Sequence, residues 1–202
     1  AAIPKSPDLS MFYQDETLAE IIALRNYLRR RAKSDEEDGT DRWIRMVATN
    51  RLTGHSKGFF SVYTLPPNQA TTAENQIRIN RKLNQTPEYR DTHAIILAKS
   101  RQLQNKLSAE QRGNLREIST SARCLTAPAH RTPAIADNSV TLTVTSPPFL
   151  DVVQYARDNW LRCWFNALDA DAIAGNITMS ATISDWRAQM SAVFAELYRI
   201  TA

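Results

Sequence analysis

The chain has 202 residues, of which 43% are apolar and 23% charged, a composition that suits a globular fold with a buried core. No apolar run approaches the roughly 20 residues of a membrane span, and residues 1–10 lack a signal-peptide pattern, so we expect a cytoplasmic protein without membrane contact. Cys124 and Cys163 form no CxxC pair and have no histidine at ligand spacing, so the sequence suggests neither a disulfide framework nor a metal site.

Positive charge is concentrated in the middle of the chain. Residues 41–131 contain 15 Lys/Arg and 6 Asp/Glu, which gives this segment a charge of +9 in a chain whose net charge is +4. Such a concentration is typical of a surface that binds phosphates. Solvent-exposed helix faces that happen to be basic would give the same count, so both interpretations stay open.

The first half of the chain has the sequence pattern of helices. Apolar residues recur at helical spacing after Asp15, which predicts a helix to about residue 31, and again after a cap at Thr40 or Asp41. Residues 73–84 and 91–107 predict two more helices with basic outer faces. We therefore predict that residues 1–117 form a mainly helical, basic segment.

A long connection, TGHSKGFFSVYTLPPNQA, follows the second predicted helix. It combines two glycines, a Pro-Pro pair and three aromatic residues, which is typical of a functional surface loop. His55 and Lys57 lie between its glycines and are candidate ligand contacts. The alternative is that they are simply exposed, as a lone loop histidine commonly is.

In the last third of the chain, the sequence pattern is no longer only that of helices. VTLTVT at residues 140–145 is rich in β-branched residues and predicts a buried strand, and helical patterns follow at 155–168 and 184–199. A strand, a tight turn and a helix in succession are typical of an α/β fold. We therefore predict an α/β domain over residues 118–202.

The turn between that strand and helix is Ser146-Pro147-Pro148-Phe149. Adjacent prolines end a strand, because neither can donate a hydrogen bond to a ladder. The Ser146 hydroxyl and the Pro147 carbonyl are acceptors, and Phe149 supplies a flat apolar ring. Acceptors beside a stacking face suit an exocyclic amino group on a planar heterocycle.

TVTSPPF, at residues 143–149, resembles motif IV of the DNA amino-methyltransferases. Residues 137–165, DNSVTLTVTSPPFLDVVQYARDNWLRCWF, look like the family's turn, strand, catalytic loop and following helix. Residues 41–69 are similar to a segment upstream of that motif in one subgroup of bacterial site-specific DNA methylases. The resemblance implies a partial Rossmann-like, S-adenosylmethionine-dependent methyltransferase domain that methylates a base extruded from DNA.

The resemblance also implies roles for particular residues. Ser146 and the Pro147 carbonyl would accept hydrogen bonds from the target amino group, and Phe149 would stack on the base. Serine in the first position favours N4 of cytosine over N6 of adenine, which stays an alternative. The DNA contacts would come from the basic helices and the loop: Arg78, Arg81, Lys82, His55 and Lys57. A non-catalytic DNA-binding module is the alternative function.

The sequence departs from the family at the cofactor. The family binds S-adenosylmethionine with a Gly-x-Gly turn, whereas none of the five glycines here lies within three residues of another. Cofactor-binding residues therefore cannot be assigned, and we interpret the chain as an incomplete enzyme from the middle of a longer one.

The cytosine-C5 branch of the DNA methyltransferases is excluded because neither cysteine follows a proline. Amino methylation requires no metal.

Overall fold

The computed structural model describes residues 7–64, 71–146, 155–175, 177, 180 and 182–202. Helices make up 58% of this part of the chain. They are α1 (Asp15–Lys33), α2 (Gly39–Arg51), α3 (Ala73–Leu83), α4 (Thr92–Gln104), α5 (Ala109–Ser121), α6 (Tyr155–Asn166), α7 (Ala170–Ala174) and α8 (Ile183–Ile200). None of them is long and apolar enough to cross a membrane.

The chain divides into two compact units. The first comprises Ala1–Leu107 and Tyr155–Asn176, and the second comprises Ser108–Gln154 and Ile177–Ala202. Helices α6 and α7, which follow the Ser-Pro-Pro-Phe stretch, therefore belong with α1 to α4 by their contacts.

The helices predicted from apolar spacing in the first half are confirmed, and their ends have clear causes. At the start of α1, the Gln14 side chain accepts hydrogen bonds from the main-chain N–H groups of Glu16 and Thr17. The cap of α2 is Asp38, not Thr40 or Asp41 as predicted. The carboxylates of Asp38 and Asp41 each accept the other's main-chain N–H, which is a capping box.

The core of the first unit lies between α1, α2, α4 and α6. Polar contacts fix how these helices meet: Trp43 Nε1 of α2 donates to Ser100 Oγ of α4 at 2.9 Å, and Arg25 Nε of α1 donates to the Trp164 carbonyl of α6 at 2.7 Å. Phe165 is buried in this core, and Trp160 and Trp164 pack against it. Burial of these rings is a main source of the unit's stability.

The second unit contains α5 and α8. Glu196 of α8 accepts hydrogen bonds from the main-chain N–H and the hydroxyl of Thr132, both at 2.6 Å. Arg199 pairs with Glu196 and Asp137 and donates to the Thr132 carbonyl at 3.2 Å. One ion-pair cluster therefore fastens residues 132–137 to the end of α8.

The predicted α/β, Rossmann-like fold is wrong. The described residues contain no strand or sheet, and the segment at 140–145 makes one isolated bridge, between Val140 and Thr201. Leu142 is 76% exposed and Val144 88% exposed, so the segment is not buried. β-Branched residues favour a strand only where a neighbouring strand and a covering layer of residues are present. Among the described residues, the segment at 140–145 has neither.

Candidate nucleic-acid interface

Helix α3 is held on the first unit by side-chain amides, not by an apolar face. The fully buried Gln76 donates through Nε2 to the Tyr63 carbonyl at 3.0 Å and to Asn80 Oδ1 at 2.7 Å. Asn80 Nδ2 in turn donates to the Met11 carbonyl at 2.8 Å, and Gln85 Nε2 donates to the Tyr63 carbonyl at 2.9 Å. This network fixes which side of α3 faces solvent.

The outward side of α3 is basic. Arg78, Arg81 and Lys82 are all exposed, and within the described part of the chain only Arg78 among them has a side-chain hydrogen bond, to Asn75 Oδ1 on the same helix. Arg81 and Lys82 lie in the last turn, where positive charge stabilises a helix by opposing its dipole. The structure therefore brings these three predicted DNA contacts together on one exposed surface. None of them forms an ion pair with another described residue, although Glu74 lies one turn before Arg78 on the same helix.

The loop after α2 is only partly a surface loop. Phe60, Ser61, Val62 and Thr64 are buried, and the main-chain N–H of Val62 donates to the Phe12 carbonyl at 2.9 Å. Residues 60–62 and 64 of this loop are therefore part of the core, which the prediction of a surface loop did not include.

The two candidate contacts of this loop lie at its exposed tip. His55 and Lys57 are both exposed, and the His55 ring lies near the ring of Phe59, with centroids 5.9 Å apart. Lys57 lines a groove whose other wall is α4, so it lies beside Lys99 and not beside the basic residues of α3. The five predicted DNA contacts thus occupy two places on the first unit.

Ser146 ends the described part of an exposed segment in the second unit, and its side chain is exposed. Pro147, Pro148 and Phe149 lie outside the described residues. The geometry of the predicted Ser-Pro-Pro-Phe turn therefore stays a prediction.

Arg51 is a candidate ligand-binding residue that the sequence interpretation did not identify. Its guanidinium carbon lies 4.1 Å from the centroid of the Phe59 ring, a cation–π contact, and burial lowers the pKa of this guanidinium. The sequence does contain a signal: from residue 42 to residue 73 there are basic residues but no aspartate or glutamate. This stretch without acidic residues can be recognised from the sequence alone, and it could have directed attention to Arg51.

Neither a metal site nor a glycine-rich cofactor turn is found in the described part of the chain. No group of three or more His, Cys, Asp or Glu residues is arranged there to hold a metal ion. A Cβ at Gly39 or Gly113 would meet open space, and the space at Gly54 is filled by the Phe59 ring. These glycines do not form the close backbone cradle that S-adenosylmethionine needs, so no cofactor residues are assigned.

Comparison with protein-family models, with curated proteins and with solved structures gave no match. The resemblance to the DNA amino-methyltransferases therefore depends on the sequence motifs alone.

Proposed function

We propose that this chain acts on DNA, as part of an amino-methyltransferase that methylates the exocyclic amino group of an extruded base. The observation that carries the proposal is the sequence Ser146-Pro147-Pro148-Phe149 directly after a β-branched run. Two acceptors and a ring are the groups required to hold a flat base by its amino group. The exposure of Ser146 is compatible with this role, since its hydroxyl must reach a ligand.

S-Adenosylmethionine would supply the methyl group. Because the glycines of this chain do not fit a cofactor cradle, the proposal assigns no cofactor contact and no reaction step to the described residues. Serine at position 146 favours N4 of cytosine as the target, with N6 of adenine as the alternative.

The basic surface of α3 supports DNA as the substrate. Arg78, Arg81 and Lys82 present three positive charges on a helix whose other side is fixed by side-chain amides. Such a surface can contact successive phosphates and thereby position a duplex, while base recognition requires other groups.

The proposal is tested by methyl transfer to duplex DNA from labelled S-adenosylmethionine, measured on the protein as its gene encodes it. Ser146→Ala should lower turnover more than DNA affinity, because an acceptor matters most as positive charge develops on the amino nitrogen. Phe149→Ala should weaken retention of the extruded base, since stacking contributes about 1–3 kcal/mol per base.

Thermal melting of the same variants separates a site from a scaffold. Neither substitution should lower the melting temperature appreciably if both side chains face a ligand. A Phe149→Ala protein that melts far below the parent, but methylates at the parental rate while folded, would contradict the assigned role.

The second candidate is a non-catalytic DNA-binding module. It is favoured by the absence of a sheet from the described residues, because the resemblance implies a sheet-based catalytic domain. DNA binding through α3 with no methyl transfer by the complete protein would select this candidate.

A further inference from the structure

A second basic surface on the first unit is concave. The Arg51 groove has a volume of about 460 Å³ and runs between the end of α2 with its following loop and helix α4. Arg51, Lys57 and Gly58 form one wall, and Ile95, Ala98 and Lys99 lie on the other. The small side chain of Ala98 and the lack of one at Gly58 leave room for a ligand between three cationic groups.

The positive charge of this groove is not balanced by its own walls. Residues 42–73 and 92–109, which contain both walls, include no aspartate or glutamate. None of the ion pairs between described residues involves Arg51, Lys57 or Lys99. The Lys99 ammonium group donates to Gln102 Oε1 at 2.9 Å, a neutral acceptor. An anion in the groove would therefore meet three uncompensated positive charges.

Arg51 is held in place but is short of acceptors. Its main-chain carbonyl accepts the N–H of Phe60 at 2.8 Å, and its guanidinium group lies against the Phe59 ring. Its Nε atom is buried and has no hydrogen-bond partner among the described residues. Because this Nε atom is not accessible from the groove, a ligand there would meet the terminal nitrogens of the guanidinium group, whose planar fork matches the oxygens of a phosphate.

We propose that the Arg51 groove binds a phosphate group. Arg51 would supply the directional hydrogen bonds, and Lys57 and Lys99 would supply charge from the two walls. The ligand could be a backbone phosphate of DNA or a phosphate on a small molecule, because both present the same oxygens. The proposal stands whether or not the chain methylates DNA.

The test is a titration with inorganic phosphate and, separately, with a short duplex DNA, at constant ionic strength set with sodium chloride. Backbone amide shifts of Gly58 and Lys99, followed by NMR, report on the groove itself. The variants are Lys57→Gln with Lys99→Gln, and as a matched control Lys33→Gln with Lys106→Gln, which removes the same charge from exposed positions outside the groove.

We expect the groove variant to lose affinity by roughly tenfold or more, because it removes two of the three positive charges that attract the phosphate, and we expect the control to bind as the parent does. A loss for both probes, or for DNA alone, indicates a backbone phosphate, and a loss for inorganic phosphate alone indicates a small-molecule ligand. Arg51→Lys should also weaken binding, because it retains the charge but removes the fork.

Two results would overturn the proposal. One is that the parent shows no shift of Gly58 or Lys99 with either probe. The other is that the groove and control variants bind both probes equally. The substituted lysines make no ion pair, so the variants should fold, and an amide spectrum confirms this. A substitution in α3 that weakens the binding of DNA but not of inorganic phosphate would show that the two surfaces act independently. The failure of the proposed function could then be distinguished from the failure of this proposal.

Discussion

The ring of Phe59 occupies the space where a side chain at Gly54 would lie. A Cβ on Gly54 would overlap the atoms of the Phe59 ring, at a separation that real Cβ atoms essentially never show. The same ring carries the Arg51 guanidinium at 4.1 Å from its centroid. The absence of a side chain at residue 54 thus determines where Phe59 packs and, through Phe59, where Arg51 is held.

The first prediction concerns this packing. Gly54→Ala should displace the Phe59 ring and lower the free energy of unfolding by about 1–3 kcal/mol, as overpacking of a filled space does. Gly58→Ala in the same loop is the control, because its Cβ would meet only Ser56 Oγ, at 3.6 Å. Chemical denaturation measures both. If the two variants were equally stable, the Phe59 ring would be able to move out of the way of a side chain at residue 54, and the prediction would be wrong.

The second prediction concerns Thr17, a fully buried polar residue of α1. Its hydroxyl accepts the main-chain N–H of Arg90 at 2.7 Å and donates to the Arg90 carbonyl at 3.0 Å. Thr17→Val should lower the free energy of unfolding by about 1–3 kcal/mol, because it leaves two part-buried main-chain groups of Arg90 without their partner.

Thr17→Ser retains the hydroxyl and loses one methyl group, so it should cost only about 0.8 kcal/mol. Denaturant unfolding of both variants is the measurement. The role of the hydroxyl would be disproved by a valine variant as stable as the serine variant.

The third prediction is a pH dependence in the second unit. Hydrogen bonds from Arg199, and then from the hydroxyl and N–H of Thr132, hold the pKa of Glu196 well below its ordinary value of 4.5. The resulting stabilisation is complete above that value, where the unfolded chain is also ionised. It decreases as the pH falls below 4.5, because the unfolded state takes up a proton first.

Amide exchange of Asn138, Ser139 and Val140 reports on this, since their N–H groups donate to main-chain carbonyls at the end of α8. Their protection should decrease as the pH falls from about 5 to about 3 in the parent and should change much less in Glu196→Gln. Glu117→Gln, an exposed acid of α5, is the control and should behave as the parent does. Identical profiles for parent and Glu196→Gln would exclude Glu196 as the cause.

The helices of the first unit could be predicted because their signals are local. Apolar spacing and side-chain caps lie within one or two turns of sequence, so α1, α3 and α4 begin within one residue of the predicted positions. Helix α5 was missed because it buries no residue and therefore has no apolar stripe. Its one local signal is the capping box of Ser108 and Gln111, which the sequence interpretation overlooked.

The strand at 140–145 was predicted wrongly because the sequence of a single segment is not sufficient to determine whether it forms a strand. A run of β-branched residues indicates compatibility with a sheet, whereas a sheet also requires partner strands elsewhere in the chain. The contact between Thr17 and Arg90 was likewise out of reach, since it joins residues 73 positions apart. The contact of Arg51 with Phe59 depends on how the loop folds back, which its composition does not fix.

The most direct measurement is duplex DNA binding as a function of salt concentration, compared between the parent and the Arg78→Ala, Arg81→Ala, Lys82→Ala triple variant. If α3 contacts the backbone, log Kd should depend steeply on log salt in the parent, and the triple variant should flatten that slope by roughly two to three units. Alanine at Arg29, Arg30 and Lys33 of α1 is the matched control and should leave the slope nearly unchanged. A parent that does not bind duplex DNA, or a triple variant that retains the parental slope, would contradict the account.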